Sequence, residues 1–331
     1  MFGGKKMTPG DHGFGALRSA TPVNAPRLEF QARGRESKVD LRQFCAPVED
    51  QGPLGSCNAC AVVSALEFLQ IKSRRPLTHL SVLYVYYYGR KLAGNENKHT
   101  GLLCHHATAA VMAYGVCEDR LWPYRTDRFT QEPPERARKE AHRFDAVQYA
   151  RLGTSDEAKL SLSSGVPVLF GLDIPAEYYH ATREDGRMPP LGTFDHMPMT
   201  GHTMLVVGYD DETKTWLAQN SWGADWGQRG YVHMPYDLVS KYAWNDELWA
   251  IGALEQVDRA KLVGPTVHET VRETERNAVQ QVNEALAKLG KEIRQDLEKR
   301  VDDAKLSIRE RLQAQERELE AKRKRDNEGG T

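Results

Sequence analysis

The sequence predicts an α+β fold, with a helical first half, a β-rich second half and a long charged helix near the C-terminus. Three observations support this prediction. Residues 61–69 place apolar side chains at helical spacing, whereas from residue 146 onward apolar residues come in short runs of strand length, such as 166–172. Residues 267–325 contain no proline, no aromatic residue and one glycine, a composition typical of a long helix.

The bulk composition limits the size and the partners of the protein. A chain of 331 residues can bury a sizeable core, and a net charge of −1 gives no reason to expect nucleic acid or an anionic membrane as a partner. The chain has no run of eighteen apolar residues, so we expect no membrane span. Its first thirty residues lack the basic-then-apolar order of a secretory signal, so we expect a cytoplasmic protein, or one exported without a cleavable signal peptide.

Residues 1–38 form an N-terminal arm that is rich in glycine, proline and arginine and has little periodicity. This composition favours a loosely ordered segment. The apolar residues between Phe14 and Phe30 offer an alternative, in which this part of the arm packs on the following domain and partly covers its cleft. A domain is predicted over residues 39–258.

The elements of this domain are predicted from local pattern alone. Helices are expected where apolar residues have helical spacing, and strands where short apolar runs lie between turn residues. In chain order they are an edge strand at 39–42, helices beginning at Cys57 and over 80–88 and 105–114, a strand at 146–150, a short helix over 156–162, and strands at 166–172, 201–209 and 231–234.

The segment from Gln51 to Ala61 carries the first chemical signal. Its first half is rich in turn residues and its second half runs into the first predicted helix, with Ser56 as the expected N-cap and Cys57 as the first helical residue. The positive end of a helix dipole stabilises a thiolate, which is the reactive form of cysteine. Cys57 is therefore a candidate nucleophile.

Cys57 and Cys60 also form a C-x-x-C pair, which is typical of thiol redox proteins. That function requires a neighbouring βαβ pattern, which this stretch lacks. We therefore expect Cys60, one helical turn further on, to point into the core. The chain has five cysteines. Whether any of the four cysteines other than Cys57 form disulfides stays open.

The segment from Gly201 to Tyr209 carries the second signal. It is a β-rich run with His202 near its start, and Asn220 follows eighteen residues later, beyond turn residues at 210–212. A lone histidine at a strand start is usually structural. Paired antiparallel strands would, however, bring His202 and Asn220 side by side, which makes His202 a candidate base and Asn220 its orienting partner.

These stretches resemble the papain-type cysteine peptidase superfamily. The resemblance lies in the cysteine of the segment Gln51-Gly52-Pro53-Leu54-Gly55-Ser56-Cys57, the histidine of Gly201-His202 before Val207-Gly208-Tyr209, and the asparagine of Asn220-Ser221-Trp222-Gly223, and it covers about residues 39–251. It implies a papain-like fold of two lobes, one helical and one an antiparallel β-barrel-like sheet. It also implies a catalytic set of Cys57, His202 and Asn220, with Gln51 in the oxyanion hole and no cofactor or metal.

In the mechanism that this resemblance implies, the Asn220 oxygen accepts a hydrogen bond from Nδ1–H of His202, so that Nε2 faces the Cys57 sulfur. Trp222 shields that hydrogen bond from water. The expected resting state is a thiolate–imidazolium pair, because a cysteine paired with histidine in this way has a strongly lowered pKa. The side-chain amide of Gln51 and the backbone N–H of Cys57 would stabilise the oxyanion.

The chain departs from the family pattern at two positions near Cys57. Leu54 replaces a disulfide cysteine and Asn58 replaces an aromatic residue, which leaves open how substrate is held there. The arm is too short for the usual propeptide of this family, so any propeptide-like role would fall to residues 1–38. The segment from Tyr231 to Ile251 most resembles bacterial intracellular members, which lack a long propeptide.

Two other features have competing explanations. Cys104, His105, His106 and Cys117 invite a zinc site, but adjacent helical histidines point about 100° apart and no second cysteine pair has finger spacing. The loop over 175–200 comes directly before His202, and it is expected either to rim the cleft or to be an ordinary solvated loop.

The C-terminal segment 265–326 is predicted as a long charged helix. Its apolar residues repeat every eleven positions, as in Val282, Ile293 and Ala304, which favours a nearly straight or slightly right-handed coiled coil. So narrow an apolar stripe needs a partner, either a second copy or another protein. The alternative is a solvated single helix held by charge pairs such as Arg294–Glu298.

Two function classes follow. The first is a cysteine endopeptidase that acts on a peptide or protein substrate and carries a helical partner-binding tail. The second uses the same fold without hydrolysis, either as an acyl transferase or ligase or as a binding module. The complete set of four site residues argues against a binding module, whereas hydrolysis and acyl transfer share a thioester and stay unresolved.

Overall fold

The computed structural model describes residues 12–19, 24–30, 35–142, 148–252 and 260–265, and scattered positions from 269 to 295. Residue contacts divide the chain into one compact unit over residues 1–278 and a second over residues 279–331. In the first unit, a group of helices from the first half of the chain packs against a large sheet from the second half. The predicted α+β class is confirmed.

The helical lobe is built around one central helix. Helix α1 (Cys57–Lys72) buries thirteen of its sixteen residues, as expected of a helix surrounded by protein on all sides. Helices α2 (Val82–Leu92) and α3 (Cys104–Tyr114) pack beside it. The Ser81 hydroxyl caps α2 by accepting a hydrogen bond from the backbone N–H of Tyr84, at 3.1 Å. The central position of α1 gives its first residue, Cys57, a rigid support.

The sheet lobe consists mainly of antiparallel strands. Its strands are β2 (Arg27–Phe30), β3 (Lys38–Asp40), β5 (Gln148–Leu152), β6 (Val168–Pro175), β7 (Met199–Asp210), β8 (Thr215–Gln219), β9 (Tyr231–Pro235), β10 (Ala243–Gly252) and β11 (Ala260–Val263). They lie in the order β11-β2-β5-β10-β6-β7-β8-β9, with β3 paired to β7. A two-stranded parallel pair joins β1 (Ala16–Leu17) to β4 (Leu102–Leu103). Short helices α4 (Glu135–Lys139), α5 (Ser155–Ser163), α6 (Ala176–Ala181) and α7 (Tyr236–Tyr242) connect these strands.

The sheet differs from the prediction in its outline. We expected an antiparallel barrel-like lobe, but the described strands form an open path that ends at β11 and β9, and β2 pairs with β5 in parallel. The second half of the N-terminal arm contributes β2, which lies between β11 and β5. Sequence patterns gave no sign that the arm would join the sheet.

The two lobes meet where α1 faces β7. The chain segment before α1 is tied to the segment after β8, since the backbone N–H of Gln51 donates to the Ser221 oxygen at 2.9 Å. An isolated bridge between Asp50 and Trp222 adds to this junction. The four predicted site residues therefore come from both lobes and gather at their interface.

The predicted C-terminal helix over 265–326 lies largely outside the described residues. The predicted coiled coil and its partner therefore stay predictions. No helix in the described part of the chain has the length and apolarity that crossing a bilayer requires.

Candidate active site

Cys57 is the first residue of α1, as predicted, and its side chain is fully buried. Ser56 occupies the N-cap position, but its hydroxyl makes no capping hydrogen bond. It lies 2.6 Å from the Tyr124 hydroxyl instead, so Ser56 is the N-cap residue as predicted, but its side chain is used elsewhere. The Tyr124 hydroxyl in turn donates to the backbone oxygen of Gln51, at 2.8 Å. These contacts fix the turn that precedes Cys57.

His202 lies in β7 and Asn220 directly follows β8. The antiparallel pairing of Leu205 with Gln219 brings the two side chains together, and His202 Nε2 lies 2.7 Å from Asn220 Oδ1. The predicted His202–Asn220 contact is confirmed. The predicted ring orientation is wrong, because Nε2 and not Nδ1 faces the asparagine.

The hydrogen bonds around Asn220 define the protonation of the ring. The backbone N–H of Ser221 donates to Asn220 Oδ1 at 2.8 Å, so this atom is the amide oxygen and can only accept. Nε2 of His202 must then carry its hydrogen. In the neutral ring, the lone pair available for a proton therefore lies on Nδ1.

Aromatic rings enclose His202. The ring centroids of Trp222, Tyr179 and Phe14 lie 5.0, 5.1 and 5.8 Å from that of His202. Trp222 is itself buried, and it covers the His202–Asn220 pair as predicted. This burial lowers the pKa of His202 to about 4, although the hydrogen bond to Asn220 acts in the opposite direction.

Burial also determines the ionisation of Cys57. It raises the pKa of the thiol to about 11, although hydrogen bonds from the backbone of Thr203 and Gly15 act in the opposite direction. Burial therefore favours the neutral form of both groups. It acts against the thiolate–imidazolium pair that the resemblance implies, which stays a prediction.

No hydrogen bond joins the predicted base to the predicted nucleophile in the described structure. Nδ1 of His202 is buried without a hydrogen-bond partner, whereas the sulfur of Cys57 is in contact with the backbone of Gly15 and Thr203. A catalytic hydrogen bond that forms only in the working complex is common in enzymes. Here the arm residue Gly15 occupies the space beside the sulfur.

Gln51 is fully buried between the lobes, and both ends of its side-chain amide are bonded. Its Oε1 accepts a hydrogen bond from the Ser221 hydroxyl at 2.5 Å. Its Nε2 donates to the backbone oxygens of Leu54 and Gly13, each at 2.8 Å. The Gly13 oxygen therefore occupies a position where a substrate oxygen could accept the same hydrogen bond.

The N-terminal arm runs through the site from residue 12 to residue 17. The His12 ring stacks on Trp222 at 5.1 Å, and its Nε2 lies 3.1 Å from Asp50 Oδ1. Further along, the Gly15 oxygen accepts a hydrogen bond from the backbone N–H of Leu102 at 2.8 Å. The alternative that the arm covers the cleft is confirmed for these residues.

The arm fits the cleft because its glycines approach other backbone closely. A Cβ added to Gly15 would lie 2.2 Å from the Gly55 Cα, and one added to Gly13 would lie 2.4 Å from the Pro53 oxygen. Contacts this short require the backbone to move. Residues 13 and 15 are therefore glycines because of packing.

Three residues of the site were missed by the sequence analysis. Tyr179 comes from helix α6, inside the loop expected to rim the cleft, and its ring lies 5.5 Å from that of Trp222. His12 belongs to the arm. Trp244, in β10, forms a small buried cluster with Ala16 and Cys57. The sequence feature that fits its position is the glycine at 171, because a Cβ added there would lie 2.5 Å from the indole ring of Trp244.

The zinc and redox explanations find no support in the described residues. No group of three or more histidine, cysteine, aspartate or glutamate side chains there is placed to hold a metal. Burial lowers the pKa of His106 to about 4. None of the five cysteines forms a disulfide, and Cys60 is buried in the core beside Ser56, as predicted.

Comparison with known proteins decides the family. The family model described as "Papain family cysteine protease" matches residues 36–248, which is more than half of the chain. The chain belongs to the papain family of cysteine proteases. The two-lobed fold implied by the sequence resemblance is thus confirmed at the level of a helical and a sheet lobe.

The protease is similar to viral, animal and bacterial members of this family. An uncharacterized peptidase C1-like protein of Acanthamoeba polyphaga mimivirus is 30% identical over 223 residues, which cover 64% of this chain and 71% of the viral protein. Cathepsin S of Mus musculus is 26% identical, with 66% of this chain and 65% of cathepsin S covered. The crystal structure of xylellain, a cysteine protease from Xylella fastidiosa, superposes with a TM-score of 0.66 at 28% identity, covering 73% of this chain and 96% of xylellain.

Proposed function

We propose that this papain-family protease is an endopeptidase in which Cys57 is the nucleophile, His202 the general acid and base, Asn220 its orienting partner and Gln51 an oxyanion donor. The observation that carries the proposal is the hydrogen bond of 2.7 Å between His202 Nε2 and Asn220 Oδ1. It holds the imidazole so that Nδ1 is the basic atom, at the lobe interface where Cys57 begins α1.

The proposed reaction begins once the arm has left the cleft. Nδ1 of His202 takes the thiol proton, and the sulfur attacks the carbonyl carbon of the substrate. The electron pair of the carbonyl moves to its oxygen, which accepts hydrogen bonds from Gln51 Nε2 and the backbone N–H of Cys57. When the C–N bond breaks, the proton on Nδ1 passes to the leaving amine. Water, deprotonated by the same nitrogen, then hydrolyses the thioester and restores the thiol.

The contacts of Gly13 support the role of Gln51. The Gly13 oxygen lies 2.8 Å from Gln51 Nε2, within the range that oxyanion donors show. The arm thus presents a carbonyl oxygen to the donor that the mechanism assigns to the substrate. Oε1 of Gln51 accepts from the Ser221 hydroxyl, which fixes the direction in which Nε2 points.

A peptidyl epoxide that reacts with nucleophilic thiols tests the assignment of Cys57. We expect it to label the wild-type protein and the Cys60→Ala variant, and not the Cys57→Ala variant. Cys60 is the matched control because it lies in the same helix, one turn away, with its sulfur in the core. Labelling that survives in Cys57→Ala would refute the proposal.

A peptide library then separates hydrolysis from acyl transfer. Incubation with peptides in the presence of an excess of a free amine should give carboxylate products for an endopeptidase. Amide products of that amine would instead identify a transferase or ligase that uses the same thioester. Products of either kind must disappear in Cys57→Ala.

A further inference from the structure

The second half of the N-terminal arm is held mainly by the segment that follows the protease domain. Strand β2 of the arm pairs with β11 at four consecutive positions, from Ala260 opposite Phe30 to Val263 opposite Arg27. Among the described residues, its pairing with the domain sheet is Arg27 opposite Arg151 in β5, where the backbone N–H of Arg151 donates to the Pro26 oxygen at 2.7 Å. Most of the β2 ladder is thus formed with β11.

Other contacts between the arm and the C-terminal segment extend this pairing. The Asn24 side-chain amide donates to Glu273 Oε2 at 3.0 Å. Gly264 has a φ of +94°, and an added Cβ would lie 3.4 Å from the Ala25 oxygen. Leu28, in the middle of β2, is 2% exposed and belongs to the core of the domain. The arm is therefore held at two places, by residues 12–17 in the cleft and by β2, which pairs with β11 and packs on the core.

We propose that β11 is a latch, which keeps the arm over Cys57 by holding β2 and opens the site when it separates from β2. The proposal goes beyond the proposed peptidase function, since it concerns access to the Cys57 sulfur and not the reaction performed there. It also assigns a role to the charged C-terminal segment 265–331. Because β11 directly precedes this segment, a partner bound to the segment can separate β11 from β2.

The size of the effect follows from the length of the tether. While β2 is held, six residues of sequence, 18–23, separate it from the part of the arm in the cleft. When β2 is free, the next anchor in the described chain is Arg35, which pairs with Asp211, and seventeen residues of sequence, 18–34, separate it from the cleft. Effective concentration falls roughly as the −3/2 power of tether length, so the arm should occupy the cleft about fivefold less strongly.

A disulfide across the latch tests the proposal in the full chain. Glu29 and Lys261 are directly opposite in the β2–β11 register. Opposite residues in antiparallel strands have Cα atoms about 4.5–5.5 Å apart, which a disulfide can bridge. In the Glu29→Cys/Lys261→Cys variant, the alkylation of Cys57 by iodoacetamide should be slower in the oxidised protein than after addition of a reductant. The two single-cysteine variants should show no such difference.

A second variant weakens the latch. In Lys261→Pro/Leu262→Pro, both substituted residues lose their backbone N–H. Successive N–H groups of a strand point in opposite directions, so one of the two lost groups is a donor that faces β2. Alkylation of Cys57 should become about fivefold faster, as the tether length predicts. Mass spectrometry of the digested protein also reports on Cys60, whose sulfur is in the core. Cys60 should stay unlabelled, which distinguishes release of the arm from loss of the fold.

Two outcomes would overturn the latch. One is equal alkylation of Cys57 in the oxidised and the reduced form of the disulfide variant. The other is an unchanged rate in the proline variant while Cys60 stays protected. If the proline variant unfolds and exposes Cys60, the disulfide variant decides alone. Since alkylation requires only an accessible thiol, these outcomes do not depend on whether the protein hydrolyses peptides.

Discussion

At the scale of single residues, Gln51 combines the oxyanion role that we propose with a structural one. Its Nε2 donates to the Gly13 oxygen, and its Oε1 accepts from the Ser221 hydroxyl across the lobe interface. Because a buried amide with all its polar atoms bonded cannot rotate without losing hydrogen bonds, the donor is fixed before substrate arrives. Fixed donors of this kind are the most effective oxyanion stabilisers.

Replacement of Gln51 by alanine should lower kcat by about 10²–10³, the usual effect of losing one oxyanion donor. The matched control is Ser221→Ala, which keeps the Nε2 donor but removes the hydrogen bond to Oε1 that helps to orient it. We expect this control to lose at most about tenfold, as one hydrogen bond contributes on the order of 1 kcal/mol. Steady-state kinetics on one peptide substrate measures both. A Gln51→Ala enzyme as active as Ser221→Ala would exclude the oxyanion role.

The ionisation of Cys57 should appear in the pH dependence of stability. Burial raises its pKa from 9.0 to about 11 in the folded protein, so the neutral thiol is favoured by folding. The stabilisation is therefore complete below pH 9 and is lost as the pH rises towards 11. His202 behaves in the opposite way: its pKa falls from 6.5 to about 4, so its contribution is complete above pH 6.5 and is lost towards pH 4.

The Cys57→Ser variant isolates the cysteine part of this effect, because serine does not ionise in this range. The Tm of wild type and variant, measured with reductant present, should run parallel from pH 6.5 to 9. Above pH 9 the Tm of the wild type should fall faster. Parallel curves up to pH 11 would contradict a raised pKa for Cys57.

At the scale of elements, the first half of the arm fits the cleft only because it contains Gly13 and Gly15. The backbone of Gly15 contacts both Gly55 and Gly101, where an added Cβ would lie 2.1 Å from the Gly15 oxygen. Three glycines thus allow the arm to pass within backbone contact of two other chain segments. The arm is held there by hydrogen bonds and by the Phe14 ring between Tyr179, His202 and Trp222.

The Gly15→Ala variant should displace the arm without disturbing the domain. Overpacking of this kind costs about 1–3 kcal/mol, so the population with an open cleft should rise by about fivefold to a hundredfold. Leu17→Ala is the control, since Leu17 is 45% exposed and its truncation leaves the arm in place. The alkylation rate of Cys57 measures the change. Equal rates for Gly15→Ala and Leu17→Ala would show that the arm does not limit access.

Elements with a strong local pattern were predictable from the sequence. Helix α3 was expected over 105–114 with its end at Gly115 and spans Cys104–Tyr114, and Gly115 has a φ of +72°. Strand β9 was expected at 231–234 and spans Tyr231–Pro235. These assignments depend only on the spacing of apolar residues close together in the sequence, which can be read without a structure.

Features that depend on distant parts of the chain were not predictable. Which nitrogen of His202 carries hydrogen follows from the Ser221 backbone N–H, which identifies the oxygen of Asn220. The raised pKa of Cys57 results from burial, to which an arm forty residues upstream in the sequence contributes, and β2 pairs mainly with β11, more than two hundred residues away. Such contacts follow from packing, for which a single sequence has no local signal.

At the scale of the whole molecule, two segments outside the domain 39–258 affect access to the cleft at Cys57 in the account given above. The arm fills the cleft, and β11 directly precedes the charged segment 265–326. The eleven-residue repeat of that segment predicts association. Sedimentation of residues 265–331 should therefore show a mass that rises with concentration. A monomer at every concentration would favour the solvated single helix.

The most direct test of the account is deletion of residues 1–19, which removes the part of the arm in the cleft and keeps β2. The alkylation rate of Cys57 at pH 7 should be measured in this variant and in the full chain, with Cys60 as the internal reference. The account predicts much faster alkylation of Cys57 in the deletion variant, a parallel gain in peptide hydrolysis, and no labelling of Cys60. An alkylation rate equal to that of the full chain would contradict it.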